Sequence, residues 1–308
     1  MSRSNLEECM RVFVTGAAGF IGRAVTQDLI AAGHKVVGLA RSQANAAILK
    51  ALGAEVRQGS LEDLDSLRQG ARDADGVIHL AFIHDFSKFA ENGQIDKRAI
   101  EAMGEALEAS DKPLIVTSGV ALLAPGRLAT EADAAQAGQG IPRVSEAAVF
   151  GFTGRGVRAM AVRLPQVHGG EGKAGFIEYF LRVAREKGAS AYVGDGANRM
   201  AAAHRQDVAR LYRLALEKGA PGAAYHAVAD EGAPFKDIAE VLARALNVPT
   251  ISIAAEKAGE HFGWLGMFAA IDAPASSALT QARLGWTPSE IGLIADIGQP
   301  GYFAPSLQ

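Results

Sequence analysis

The stretch Val12–Gly22, VFVTGAAGFIG, constrains this chain more than any other. A short apolar run leads into Gly16, Gly19 and Gly22, and an amphipathic stretch follows. This G-x-x-G-x-x-G spacing is a variant of the dinucleotide-binding turn. Gly16 lets the backbone turn sharply off a strand. Gly19 removes a side chain where a pyrophosphate approaches, and Gly22 lets the new helix lie close to the sheet. The helix start presents free N–H groups and the positive end of its dipole to phosphate. Ala18, Phe20 and Ile21 belong to the same turn and join the three glycines as expected cofactor contacts.

One rhythm then repeats. Helices are predicted over 23–32, 43–52, 61–69, 92–109 and 144–155, and strands over 35–39, 55–58, 77–81, 113–117 and 157–164. Gly33, Gly53 and Gly70 are read as helix ends. The strands are apolar on both faces, which means a parallel sheet covered by helices. Beyond Pro165 the rhythm changes. Gly169, Gly170, Gly172 and Gly175 mark a loop, and helices at 176–187, 207–218 and 235–246 alternate with short strand-like pieces at 225–228 and 250–253. The expected architecture is α/β: a Rossmann-type doubly wound parallel sheet with a smaller, discontinuous C-terminal substrate lobe. Residues 10–164 and 197–222 form the dinucleotide-binding domain, 165–196 and 223–308 the lobe, and 1–9 a flexible tail.

Composition removes several classes of function. The 308 residues are 49% hydrophobic and 21% charged, with a net charge of −3 and both signs mixed along the chain. That balance gives neither a nucleic-acid groove nor a membrane surface, and no run reaches the roughly 18 apolar residues of a membrane span. The opening MSRSNLEEC lacks the apolar core of a secretory signal. Cys9 is the single cysteine, so no internal disulfide forms, and no Cys/His spacing resembles a metal site. A cytoplasmic enzyme acting on a small molecule is expected.

Five segments now stand in one order: TGAAGFIG, VIHLA, RLPQVHG, HRQDVARLYRLALEKG and ARLGWTP. Together they resemble the extended short-chain dehydrogenase/reductase family, also known as the NAD-dependent epimerase/dehydratase group. The resemblance runs from about residue 11 to LGWTP. It implies NAD(H) or NADP(H) at the carboxyl ends of the strands. It also implies a catalytic Ser or Thr after the fifth strand and a Tyr-x-x-x-Lys on the next helix, where the Tyr moves a proton and the Lys lowers its pKa. A homodimer through the sheet domain's helices is compatible with the family.

The chain departs from that pattern. Ser118, in VTSGVALLA, stands at or beside the Ser/Thr position, with Gly119 as the other match. If Ser145 in IPRVSEAAV matches the Ser of Tyr-x-x-Ser-Lys, Pro142 replaces the Tyr and Glu146 the Lys. Tyr179, Tyr192, Tyr212, Tyr225 and Tyr302 all lack a Lys four residues on. Pro142 is compatible with a helix start. Glu146 then faces solvent or accepts a hydrogen bond from the ribose.

The second strand ends in VVGLARS. Ala40 occupies the position where NAD-preferring members carry an acid, and Arg41 and Ser42 follow. A guanidinium and a hydroxyl suit a 2′-phosphate, so NADP(H) is the expected cofactor; otherwise Arg41 is a solvated loop charge. The resemblance puts Ser60 and Leu61 near the adenine and Leu80, Ala81 and Phe82 under the diphosphate and ribose. It adds Thr117, Pro165 and Val167 to the cofactor contacts.

Four residues are candidate catalytic groups. Ser118 sits at a strand end beside the nicotinamide. His84, with Asp85 after it, could deliver a proton or form a loop-capping pair. His168 lines the pocket or is a packed, hydrogen-bonded ring. Tyr192 replaces the missing phenol or fills the lobe interface. His204 and Asp207 read as structural, Asp207 as an N-cap. The aromatic HFGWLGMF at 261–268 lines a hydrophobic site or belongs to the core. The leading function is an NADP(H)-dependent oxidoreductase acting on a carbonyl or similar double bond. The alternatives are a catalytically silent NADP(H)-binding sensor and a nucleotide-sugar epimerase or dehydratase.

Overall fold

A computed structural model describes residues 9–85, 88–135, 144–170 and 175–304. The expectations for Pro142, for Gly172 and for residues 1–8 fall outside these ranges. The elements run β1 (Arg11–Thr15), α1 (Phe20–Ala31), β2 (Lys35–Ala40), α2 (Gln43–Ala51), β3 (Glu55–Gln58), α3 (Leu64–Arg72), β4 (Gly76–His79), α4 (Phe89–Leu107), β5 (Pro113–Gly119), α5 (Ser145–Phe150) and β6 (Arg158–Leu164). They continue with β7 (Gln166–His168), α6 (Gly175–Lys187), β8 (Ser190–Val193), β9 (Arg199–His204), α7 (Arg205–Lys218), β10 (Ala224–His226), β11 (Asp230–Pro234), α8 (Phe235–Leu246) and β12 (Thr250–Ile253). Short helices α9 (Ala258–Phe262), α10 (Gly266–Ala270), α11 (Ala278–Leu284) and α12 (Leu293–Ile297) end the series.

Seven strands form one sheet in the order β10-β6-β5-β4-β1-β2-β3. The β1–β2, β1–β4, β2–β3 and β4–β5 pairs are all parallel. The fold is the expected Rossmann-type one, with a three-stranded sheet β11-β9-β7 and a two-stranded sheet β12-β8 in the second half. Val12, Phe13 and Val14 are fully buried because helices cover both faces of the sheet. Each such side chain contributes about 1.5–3 kcal/mol of apolar burial.

Contacts divide the described residues of the chain into two compact units. One draws on 1–117, 142–161 and 212–223, the other on 118–141, 162–211 and 224–308. Residues 118–135 thus group with the second unit. Its core joins Phe180, Phe235, Phe262, Leu265 and Leu293, and Phe262 and Leu265 come from the HFGWLGMF stretch.

Several predicted boundaries shift, each for a local reason. Helix α3 begins at Leu64 because Asp63 caps it, accepting the Ser66 N–H at 3.1 Å. Gly70 lies inside α3 instead of ending it. A Cβ there would stand 2.6 Å from Cζ of Phe13, so the glycine makes room for the ring beneath. Helix α5 is shorter than predicted, closing at Gly151.

Candidate functional site

β1 through β5 point the same way, so their carboxyl ends share one edge of the sheet. The strand order reverses direction at β1, which has β2 on one side and β4 on the other. That reversal opens a crevice at the carboxyl edge, the usual place for a nucleotide in such sheets.

The glycine turn stands at this edge. Gly16 has φ +69°, and a Cβ on it would lie 2.7 Å from the Ala81 amide nitrogen. The turn therefore packs directly on the chain leaving β4. Gly22 answers to a different constraint from the one expected. Its Cβ would come 2.0 Å from the Gly16 carbonyl oxygen, so it fits α1 against the turn itself. Gly19 is exposed and caps α1 with no side-chain hydrogen bond, and the first turn of the helix holds no acid. A helix start with no capping side chain and no acid, behind a glycine, fits a diphosphate.

The neighbouring strand ends complete the edge. Ala40 is fully buried, and Arg41 and Ser42 beyond it are exposed. Ser42 caps α2 by accepting the Asn45 N–H at 3.2 Å, which leaves its own hydroxyl proton to donate. After β3, Ser60 accepts the Glu62 N–H at 3.2 Å and Leu61 is buried. Leu80 and Ala81 hold to β1 through their amides, the first to the Thr15 carbonyl at 3.2 Å and the second to Thr15 Oγ1 at 3.3 Å. Phe82 follows, half-buried, with its ring edge-on to His84 and Phe89 at 5.7 Å in each case.

Thr117 is committed elsewhere. It is 7% exposed, donates to the His79 carbonyl at 2.8 Å and meets the Tyr212 hydroxyl at 2.7 Å. Its side chain serves the interior of the sheet. Ser118, the next residue of β5, is half-buried. Pro165 follows β6 half-buried, and Val167 is buried in β7.

A buried polar chain in the first unit escaped the sequence reading. Thr15 Oγ1 meets His79 Nδ1 at 2.7 Å, and His79 Nε2 meets Asp96 Oδ1 at 3.0 Å. The other Asp96 oxygen accepts the Ser145 hydroxyl at 2.5 Å. An ionised Asp96 accepts on both sides, from the Ser145 hydroxyl and from a proton on His79 Nε2, while His79 Nδ1 meets the Thr15 hydroxyl. All four residues are at most 2% exposed. This chain ties the glycine turn to α5, the helix that in relatives of the standard pattern bears the Tyr and Lys. The available signal was Asp96 itself, a carboxylate on the buried stripe Asn92–Asp96–Ala99–Ile100 of α4. Glu146 is buried at 6% exposure and does not face solvent.

The remaining candidates scatter. His84 is exposed at the carboxyl edge of β4. His168 and Tyr192 belong to the second unit. His168 is 2% exposed, its Nδ1 bonds Asp296 Oδ2 at 2.7 Å, and its ring packs edge-on against His204 at 5.5 Å. Its Nε2 is buried with no hydrogen bond. The packed, hydrogen-bonded alternative therefore describes it. Tyr192 packs on Gly196, where a Cβ would lie 2.7 Å from the ring, and Lys236 Nζ stands 5.7 Å from the ring centre. Asp207 is not the N-cap expected of it: α7 begins at Arg205, so Asp207 lies inside the first turn of the helix. Its carboxylate accepts the Ser289 and Glu290 N–H groups at 2.9 and 3.1 Å and pairs with Arg210.

Burial, the largest cause, holds His204 below the usual imidazole value, and the neighbouring His168 adds to it; Asp296, Glu290 and Asp207 oppose the shift. Among the described residues no group of three or more His, Cys, Asp or Glu side chains is arranged to hold a metal. Among them, too, no helix is long and apolar enough to cross a membrane.

Comparison with known proteins gives this geometry a family. Residues 12–120 match the model of the NAD dependent epimerase/dehydratase family. An uncharacterized protein of Schizosaccharomyces pombe is 48% identical over 96% of this chain and 100% of its own length. A 4-hydroxy-2-methyl-3-oxo-4-farnesyl-3,4-dihydroquinoline-1-oxide ketoreductase of Stigmatella aurantiaca is 27% identical over 86% of this chain and 84% of its own. The crystal structure of DesIV, a dTDP-glucose 4,6-dehydratase from Streptomyces venezuelae with NAD and TYD bound, shares the fold with a TM-score of 0.76 at 18% identity, over 96% of this chain and 97% of that one. The glycine cradle at a strand-order reversal, the matching family model and these relatives lead to one conclusion: the chain belongs to the NAD dependent epimerase/dehydratase family, an NAD(P)-binding group.

Proposed function

We propose that this protein is an NADP(H)-dependent oxidoreductase that transfers hydride to a carbonyl, or a similarly polarised double bond, of a small molecule. The observation that carries the cofactor choice is the end of β2. A fully buried Ala40 stands where an acid would bind a ribose 2′-hydroxyl, and the exposed Arg41 guanidinium and Ser42 hydroxyl follow it. Both groups donate, and a 2′-phosphate accepts. The ketoreductase name of the Stigmatella relative supports carbonyl reduction.

A bound nicotinamide would supply the hydride. Gly19 and the uncapped start of α1 hold the diphosphate, and Arg41 with Ser42 hold the 2′-phosphate. Ser118, next to Thr117 at the end of β5, donates its hydroxyl to the carbonyl oxygen and polarises it. The test is direct. NADPH and NADH are titrated onto the protein, and NADPH consumption is followed with a panel of ketones, aldehydes and imines. Tight NADPH binding with turnover of any member supports the reading, and equal or stronger binding of NADH removes the cofactor assignment.

Binding without turnover across the panel favours the second reading, a cofactor-binding sensor. Two observations support that alternative: Glu146, which takes the place of the lysine if Ser145 matches the family serine, is buried, and the hydroxyl of Thr117 is consumed inside the sheet.

A further inference from the structure

A glycine turn receives a diphosphate only while its backbone keeps one orientation. We propose that His79 is a positioning residue for the cofactor: through the Thr15 hydroxyl it fixes the turn that holds the diphosphate. Resting on the cofactor-binding reading above, this role concerns the diphosphate and is therefore the same for NADPH and NADH.

Thr15 and His79 are the last residues of β1 and β4, and they are register partners in that parallel pair. Their side chains share one face of the sheet, and Thr15 Oγ1 meets His79 Nδ1 at 2.7 Å. The same oxygen accepts the Ala81 N–H at 3.3 Å, and the Thr15 carbonyl accepts the Leu80 N–H at 3.2 Å. Gly16 follows at φ +69° and packs on the Leu80–Ala81 backbone. One hydroxyl thus joins the end of β1, the chain leaving β4 and the imidazole, at the residue before the turn. The threonine rotamer decides whether Oγ1 reaches Ala81, and His79 holds that rotamer.

The imidazole is held in turn. Its Nε2 meets Asp96 Oδ1 at 3.0 Å, and the other Asp96 oxygen accepts the Ser145 hydroxyl at 2.5 Å. All four residues lie in the first unit, with the glycine turn. Val12, Phe13 and Val14 before Thr15, and Val77 and Ile78 before His79, are apolar and fully buried. Polarity enters both strands at one level, the level that meets the turn. Apolar side chains of similar volume would stabilise this depth as well or better. A buried polar chain supplies direction instead, because hydrogen bonds fix angles that apolar contacts leave loose.

The two ring nitrogens have separate duties, Nδ1 toward the turn and Nε2 toward Asp96, so they can be removed one at a time. An asparagine amide ends at the level of Nδ1 and a glutamine amide at the level of Nε2. His79→Gln keeps the Asp96 bond and loses the Thr15 bond. His79→Asn keeps the Thr15 bond and leaves Asp96 short of a donor.

The experiment measures the Kd of NADPH and of NADH by calorimetry, and the urea midpoint of the cofactor-free protein, for wild type and four variants. His79→Gln should weaken both nucleotides about tenfold yet have the higher urea midpoint of the two histidine variants. His79→Asn should bind both nucleotides with near wild-type affinity and unfold at the lower urea concentration. That crossing marks a positioning role, since a purely structural histidine makes affinity fall together with stability. Thr15→Val should weaken both nucleotides about tenfold, and Thr15→Ser should not. This pair tests the same link with the imidazole intact, even where the histidine variants do not fold. Affinity that follows the urea midpoint across the variants, or an unweakened Thr15→Val, overturns the proposal. Failure of the proposed function reads differently: NADH bound as tightly as NADPH, or no turnover of any carbonyl, removes that reading and leaves the crossing in place. A wild-type protein that binds neither nucleotide overturns both.

Discussion

Trp286 donates its indole N–H to the backbone carbonyl of Asp207 across 2.9 Å, with the ring 1% exposed. The contact joins two segments that the sequence shows only as separate motifs, HRQDVARLYRLALEKG and ARLGWTP. The Asp207 carboxylate reinforces it by accepting the amides of Ser289 and Glu290 and pairing with Arg210. Asp207→Ala leaves two amides and a guanidinium without their acceptor. It should cost about 3 kcal/mol of stability, read as a lowered urea midpoint. A loss within experimental error would show that the tail docks through Trp286 alone.

The cradle glycines separate into tight and open positions. A methyl on Gly22 would meet the Gly16 carbonyl oxygen at 2.0 Å, whereas one on Gly259, in α9, would meet nothing within 4 Å. Gly22→Ala should destabilise by about 1–3 kcal/mol and weaken NADPH binding. Gly259→Ala should leave stability unchanged or raise it by up to about 1 kcal/mol. Parallel urea titrations of the two variants check the contrast.

Arg41→Ala should weaken NADPH about tenfold or more, the worth of one charge-assisted hydrogen bond, and leave NADH nearly unchanged. Calorimetric titration with both nucleotides measures the ratio. Equal weakening of both would mean that Arg41 does not meet a 2′-phosphate.

Ser118→Ala should lower turnover about 100-fold, as the loss of a donor aimed at developing negative charge does, with cofactor affinity retained. Thr117→Val is the contrasting variant. Its hydroxyl is buried between the His79 carbonyl and Tyr212, so its loss should appear as about 1–3 kcal/mol of instability.

His204 makes stability depend on pH. Its folded-state pKa lies below the unfolded value, chiefly through burial. The unfolded chain therefore binds a proton that the folded one resists. The contribution is complete above the unfolded value of about 6.5 and is lost as pH falls through it. Chemical denaturation between pH 8 and about 5 should show wild-type stability declining more steeply than that of His204→Gln. Identical slopes would assign the decline to other groups.

The sequence by itself determined the α/β class, the parallel sheet and the glycine turn. Those depend on local spacing: apolar strands, amphipathic helices, and glycines at three-residue intervals where only small residues fit. Arg41 and Ser42 were legible for the same reason, because they follow a strand whose end is fixed by the pattern. Tertiary structure decided what each side chain is free to do. Thr117 looked like an edge residue and turned inward to His79 and Tyr212. Gly70 looked like a helix end and proved to be a seat for Phe13. The Thr15–His79–Asp96–Ser145 chain joins positions up to 130 residues apart, a pairing that no periodicity encodes. Burial and hydrogen-bond partnership are set by which strands and helices come together. Local spacing therefore names the residues at the sheet edge, and only packing shows which of them, such as Thr117, are spent on the fold.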